Sequence, residues 1–313
     1  MVQAMIQASE LGRRFGDFSA VEGLDLQVDR GEVFGFLGPN GAGKTTTVRM
    51  LASLIRPTSG SATVGGLRVD DAGEARQIRR MVGILTERSG FYENLTARRN
   101  LRFYADLYGL VRREADARIA LLMDTFGMGR WVEAKVGGFS KGMRQKLALV
   151  RALLHDPQAI FLDEPTSGLD PESARAVREA IGQLKRQGRT VFLCTHNLDE
   201  AERLCDRVAI VNRRVLYEGT PEKLKDTAYG HRIIVRLEQA SGTVSRAVAR
   251  LGVVGDVRQE DDRMILEVED PDRHCADVVD AIVRAGGRIR SVGELRHSLE
   301  DVYMKLIGDR CEP

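Results

Sequence analysis

One segment of this 313-residue chain constrains its fold more than any other: Gly38-Pro-Asn-Gly-Ala-Gly-Lys-Thr-Thr46, which fits G-x-x-x-x-G-K-[ST]. It follows the apolar run Val33–Leu37 and precedes a helical pattern over Thr46–Leu54, so it reads as a strand–loop–helix unit. Gly38, Gly41 and Gly43, with Asn40 between them, let successive backbone N–H groups converge on one phosphate-sized concavity. The helix that opens at Thr46 adds the positive end of its dipole. Lys44 is predicted to sit between β- and γ-phosphates, and the Thr45 hydroxyl can ligate Mg2+.

A second apolar run, Ile160-Phe-Leu-Asp-Glu164, ends in two carboxylates. Ligand sites of parallel sheets lie at the carboxyl ends of strands, so Asp163 is expected beside the metal, through water, and Glu164 as the general base that polarises an attacking water. Phe139-Ser-Lys-Gly-Met143 opens a helix over Arg144–Leu154; Ser140 is its expected N-cap, and Gly142 leaves backbone N–H groups accessible for a second anion contact. Thr166-Ser-Gly-Leu-Asp170 follows the carboxylates, and His196 closes another strand.

Short apolar strands (Val33–Leu37, Ala159–Leu162, Thr190–Thr195, Val208–Asn212) alternate with helical patterns, which predicts an α/β fold with a parallel sheet. Ala97–Arg151 reads instead as consecutive helices, such as Ala97–Tyr108 and Arg113–Phe126, inserted as a helical subdomain over about 90–155. Gly219, Pro221 and Gly230 punctuate the chain and place a boundary between a first domain, 1–225, and a second, 230–313. Beyond it the order βαββαβ predicts a small α+β domain of ferredoxin-like type.

Composition narrows the function classes. The net charge of +2 gives no general attraction to nucleic acid or an anionic surface, although residues 1–229 carry +5 and residues 230–313 carry −3. No apolar run approaches the length of a membrane span, and the first ten residues lack the pattern of a signal peptide. Cys194, Cys205, Cys275 and Cys311 form no CxxC pair and read as reduced thiols. His155, His231, His274 and His297 read as structural, and the Arg79–Arg80 and Arg98–Arg99 pairs as solvated helix faces.

In this order the pieces resemble the ATP-binding subunit of ABC transporters, over about residues 4–225. Gly38–Thr45 matches the Walker A loop, Phe139–Met143 the signature, Asp163 and Glu164 Walker B, Ser167–Asp170 the D-loop and His196 the switch histidine. Phe15 matches the aromatic that stacks on adenine. The Ser298-Leu-Glu-Asp-Val-Tyr303 phrase is similar to the subgroup that serves type-2 exporter permeases for drugs, antibiotics, polysaccharides and sodium. The resemblance implies ATP and Mg2+ as ligands and a head-to-tail homodimer in which the signature, with Ser140, Lys141, Gly142 and the D-loop Asp170, faces the partner's nucleotide. It also implies a separately encoded membrane permease, a cytoplasmic location on the inner face of the membrane, and no nucleic-acid partner.

Three positions depart from the family pattern. Glu87, in Leu85-Thr-Glu-Arg88, stands where a glutamine is usual and is expected to reach Mg2+ or water; Lys141 replaces a glycine and Met143 a glutamine. The implied function is ATP hydrolysis coupled to export, the Glu87 loop and the helical insert docking on the permease. Two alternatives stand beside it: a non-transport ABC ATPase acting on ribosomes or DNA, and a slow ATP-binding switch, which Lys141 and Glu87 motivate. The chain has one nucleotide domain and no coiled-coil insert, unlike translation-type and DNA-repair members.

Overall fold

The computed structural model describes residues 3–86, 90–239, 241–295 and 297–308. The chain divides at Thr220/Pro221 into two units.

In chain order the first unit comprises β1 (Ala4–Phe15), β2 (Phe18–Asp29), β3 (Val33–Leu37), α1 (Lys44–Leu51), β4 (Ser59–Val64), β5 (Leu67–Arg68), α2 (Ala72–Met81) and β6 (Val82–Leu85). It continues with α3 (Ala97–Leu107), α4 (Arg112–Thr125), α5 (Lys141–Leu153), β7 (Ala159–Asp163), α6 (Pro171–Arg186), β8 (Thr190–Thr195), α7 (Leu198–Leu204), β9 (Arg207–Asn212) and β10 (Arg214–Gly219). The six-stranded sheet has the order β10-β9-β3-β8-β7-β6. Its strands are parallel from β9 through β6, and β10 is antiparallel to β9.

The four predicted strands are present and lie at the centre of this sheet. Every residue of β3, β7 and β8 is buried, as expected for strands covered on both faces. Phe34, Phe36 and Phe161 pack around Phe192 with ring centroids 5.2–5.8 Å apart. Each such ring removes a large apolar area from water and fixes the mutual height of the strands. The register pairs Leu37 with Thr195 and Asp163 with Cys194. The loops after β3, β7 and β8 therefore leave the sheet side by side.

A second, antiparallel sheet of order β2-β1-β4-β5, together with β6 and β10, goes beyond the strands expected from the sequence. β1 and β2 carry several register shifts, which break the alternation of apolar and polar residues that marks a strand in sequence. Between β6 and β7 the chain is helical, as expected, with one isolated bridge, Thr96 to Lys135, among the described residues. Leu101, Ile119, Met123, Leu147, Val150 and Leu154 form a separate apolar cluster there. The helix expected over Arg144–Leu154 begins earlier, at Lys141, directly after its Ser140 cap.

The stretch read as linker punctuation is a helix, α8 (Pro221–Tyr229), and belongs to the second unit. A proline fits the first turn of a helix, where its missing N–H has no partner to lose, so Pro221 starts this helix rather than breaking the chain. The unit continues with β11 (Arg232–Leu237), α9 (Gly242–Ala249), β12 (Val254–Glu260), β13 (Arg263–Val268), α10 (Pro271–Arg284), β14 (Ile289–Glu294) and α11 (Leu299–Gly308). Its sheet is antiparallel, with order β12-β13-β11-β14. Val235, Met264 and Leu266 of the sheet pack with Val244, Val248, Val278 and Ile282 of α9 and α10. At α11 the Ser298-Leu-Glu-Asp phrase is a reciprocal cap. The Ser298 N–H donates to Asp301 Oδ2 at 2.8 Å, and the Asp301 N–H donates to Ser298 Oγ at 3.1 Å.

Cys194 and Cys205 are buried free thiols and Cys275 is half-buried; Cys311 lies outside the described residues. Among the described residues no helix is long and apolar enough to cross a membrane.

Candidate nucleotide site

The loop from Gly38 turns into α1 through Gly43, whose φ of +93° belongs to the left-handed region. A Cβ on Gly43 would stand 2.4 Å from the Ala20 carbonyl oxygen, so no side chain fits there without moving β2. α1 then starts at Lys44, two residues before the predicted Thr46, because the Thr47 N–H already donates to the Gly43 carbonyl at 2.8 Å.

Lys44 is buried, and its ammonium donates to the Gly38 carbonyl at 2.6 Å and the Pro39 carbonyl at 3.3 Å. It also lies 3.5 Å from Glu164 Oε1. The Thr45 hydroxyl donates to Asp163 Oδ2 at 2.7 Å. This contact joins the start of α1 to the end of β7, and Asp163 is only 3% exposed. Glu164 holds φ +50°, a strained value for a residue with a side chain, and its N–H donates to the Cys194 carbonyl at 2.9 Å. Its Oε2 lies 2.8 Å from His196 Nδ1, and Oε1 is buried without a hydrogen-bond donor. A carboxyl oxygen held without a donor is open to a water molecule. Burial and the neighbouring Asp163 push the Cys194 thiol far above its ordinary range, which keeps it protonated and unreactive.

These groups surround a cavity of about 440 Å3 whose lining includes Asn40, Gly41, Gly43, Lys44, Thr45 and Thr46 on one side and Asp163, Glu164 and His196 on the other. Gly38 is not in that lining; a Cβ there would meet the Val211 carbonyl oxygen at 2.4 Å. Phe18, which the sequence did not single out, also lines the cavity, as does Ser167, the first residue of the expected D-loop. Phe15 does not line it. It is the register partner of Phe18 across the β1–β2 hairpin and carries the Arg13 guanidinium 4.5 Å above its ring. Glu87 lies outside the described residues.

The remaining predicted residues gather elsewhere. Ser140 caps α5 by accepting from the Met143 N–H at 3.2 Å, and Asp170 caps α6 by accepting from the Ser173 N–H at 2.9 Å. The exposed hydrogen bonds from Ser173 hold the Asp170 carboxyl below its ordinary pKa. A Cβ on Gly142 would meet Ser173 Oγ at 2.3 Å, so the two helix starts touch. The Lys141 ammonium lies against Gly168. Gln145, a buried residue that the sequence reading missed, donates to the Pro165 carbonyl at 2.8 Å and ties α5 to the loop after Glu164. Ser140, Lys141, Gly142 and Asp170 are all absent from the lining of the cavity that holds Lys44.

A parallel sheet with a glycine loop opening a helix beside two strand-end carboxylates defines a P-loop nucleoside triphosphatase. Residues 21–167 match the family described as ABC transporter, and residues 219–307 match that of ATP-binding protein DrrA1-3-like, C-terminal domain. The chain belongs to the ABC transporter family and is an ATP-binding, ATP-hydrolysing subunit of the exporter type.

The daunorubicin resistance ATP-binding protein DrrA3 of Streptomyces coeruleorubidus is 40% identical over 312 residues, 99% of this chain and 98% of that one. The ABC transporter ATP-binding protein NatA of Bacillus subtilis (strain 168) is 44% identical over 229 residues, 71% of this chain and 92% of its own. A solved structure of an ATP binding subunit of an ABC transporter is 33% identical with a TM-score of 0.65, covering 71% of this chain and 92% of that one.

Proposed function

We propose that two copies of the chain pair head to tail around two ATP molecules. Each copy presents the Ser140–Gly142 segment and Asp170 to the nucleotide held on the Gly38–Thr46 loop of the other. The observation that supports this reading is that the capped start of α5 contributes no residue to the lining of the cavity that holds Lys44 and Glu164. One chain therefore offers the γ-phosphate only part of the ligand set that its own sequence encodes.

Within each half-site the backbone N–H groups of the loop hold the phosphates, and Lys44 balances charge between the β and γ positions. Phe15 is assigned to the adenine ring, with Phe18 extending the same wall. Among the described residues no cluster of three or more His, Cys, Asp or Glu could hold a metal by itself. Thr45 and Asp163 supply two hard oxygens 2.7 Å apart, a partial set suited to a cation that takes its other ligands from phosphate and water. Mg2+ fits that description, with Glu87 as a further oxygen donor, and when bound it would neutralise charge on the phosphate oxygens. Glu164 Oε1 takes the proton of the water that attacks the γ-phosphorus, ADP departs, and His196 holds the other carboxylate oxygen in place.

The second unit we read as a ferredoxin-like domain that contributes dimer contacts or regulation, and the helical segment around α3 and α4 as the surface that docks a separate membrane permease. That permease would hold the subunit at the cytoplasmic face and select the cargo, with export of the kind served by the daunorubicin resistance relative.

Phosphate release by the full chain, compared with Glu164→Gln, tests the proposal. Loss of turnover by about a hundredfold or more, with ATP-dependent dimers accumulating on gel filtration, is expected. Equal, near-zero rates for the two proteins would mean an ATP-binding switch instead.

A further inference from the structure

A buried carboxyl stands behind the Glu164–His196 pair. Glu200 is 2% exposed and occupies the third position of α7, whose N-cap is Asn197. A glutamate at this position commonly reaches back to the N–H of the N-cap residue. Here the Asn197 N–H instead donates to Thr195 Oγ1 at 3.0 Å, which leaves the Glu200 carboxyl to turn elsewhere. Its Oε2 accepts from the Thr166 hydroxyl at 3.1 Å and from the Thr195 hydroxyl at 3.4 Å.

Those two threonines belong to different segments. Thr166 follows Glu164 by two residues and precedes Ser167, which lines the nucleotide cavity; Thr195 precedes His196 directly. With the 2.8 Å contact between Glu164 and His196, the chain closes a ring that runs Glu164, Thr166, Glu200, Thr195, His196 and back to Glu164. The second Glu200 oxygen is buried with no hydrogen-bond partner. Burial raises the pKa of the carboxyl. A half-satisfied buried carboxyl costs stability, so an apolar residue would be the better choice for folding alone. Such a cost at the back of a site points to a role in the site.

We infer that Glu200 is a positioning residue for ATP hydrolysis, clamping the segment after Glu164 to the segment before His196 so that the two side chains stay in contact. The inference rests on the roles proposed for Glu164 and His196. Steady-state hydrolysis by the full chain tests it with Glu200→Leu, Glu200→Gln, Thr166→Val and Thr195→Val. Glu200→Leu should lower kcat by about tenfold or more while KM for ATP and the affinity for a fluorescent ATP analogue stay within about twofold. Its melting temperature should equal or exceed that of the wild type. Glu200→Gln, which keeps an acceptor for both hydroxyls, should restore kcat to within about threefold. Each threonine variant should lower kcat with KM unchanged.

A kcat for Glu200→Leu within about twofold of wild type overturns the inference, as does a loss of kcat that follows a fall in melting temperature and is not restored by Gln. So does wild-type kcat in both threonine variants. Glu164→Gln and His196→Ala separate the two levels: if they leave turnover intact, the reading of the site itself fails. If they abolish turnover while Glu200→Leu does not, the clamp alone fails.

Discussion

Single residues in the nucleotide loop are fixed by geometry that leaves little choice of side chain. Gly43→Ala sets a Cβ against the Ala20 carbonyl at a φ of +93°, whereas Gly41 also has positive φ but open space around it. Gly43→Ala is therefore expected to weaken ATP binding by about tenfold or more, and Gly41→Ala by several-fold less; titration with a fluorescent nucleotide distinguishes them. Loss of a ring stacked on a base costs about 1–3 kcal/mol. Phe15→Ala should accordingly raise KM for ATP by at least about fivefold with kcat retained, as read from initial rates. Residues of this kind were the most legible in sequence, because each phosphate-facing position tolerates few residue types. Phe18 and Glu200 were not legible, because nothing local distinguishes an aromatic or a helix glutamate that is held at a site from one that faces water.

Elements carry the next level of the design. The starts of α5 and α6 meet through Gly142 and Ser173, and Gln145 fixes α5 to the loop after Glu164. Gly142→Ala should therefore push the two helix starts apart and depress kcat by about tenfold while leaving nucleotide affinity on the Lys44 loop unchanged; parallel binding and turnover measurements check this. Ser298→Ala removes one half of the reciprocal cap of α11 and should cost about 1 kcal/mol in the second unit, read from urea midpoints. The strands that bear site residues were predicted because burial on both faces makes them short continuous apolar runs. The β1, β2, β4, β5 sheet was missed because register shifts scramble its alternation. The cap in Ser298–Asp301 was visible as a family phrase, while its physical content lies in the two reciprocal hydrogen bonds at the start of α11.

At the scale of the molecule, the helical segment meets the sheet at a titratable contact. His155 stacks on Tyr108 with ring centroids 3.7 Å apart, and its Nε2 lies 2.9 Å from the Val82 carbonyl of β6. Burial pushes its pKa down to about 4, while Nδ1 stays buried without a partner. The unfolded chain therefore takes up this proton near pH 6.5 and the folded chain only near 4, so this contribution is complete above pH 6.5 and drains away between those values. The loss amounts to at most about 3 kcal/mol. Urea midpoints at several pH values should fall over this window in the wild type. In His155→Gln, which retains a donor for Val82, the decline should be shallower.

The absence of Ser140 from the lining of the cavity around Lys44 also bears on dosage. If neither copy holds a whole site, turnover in dilute solution scales with the square of the subunit concentration, and a copy defective at one half-site spoils the competent half of its neighbour. Two subunits moored to one permease escape that dilution law, because the local concentration is then set by the mooring and not by the cell.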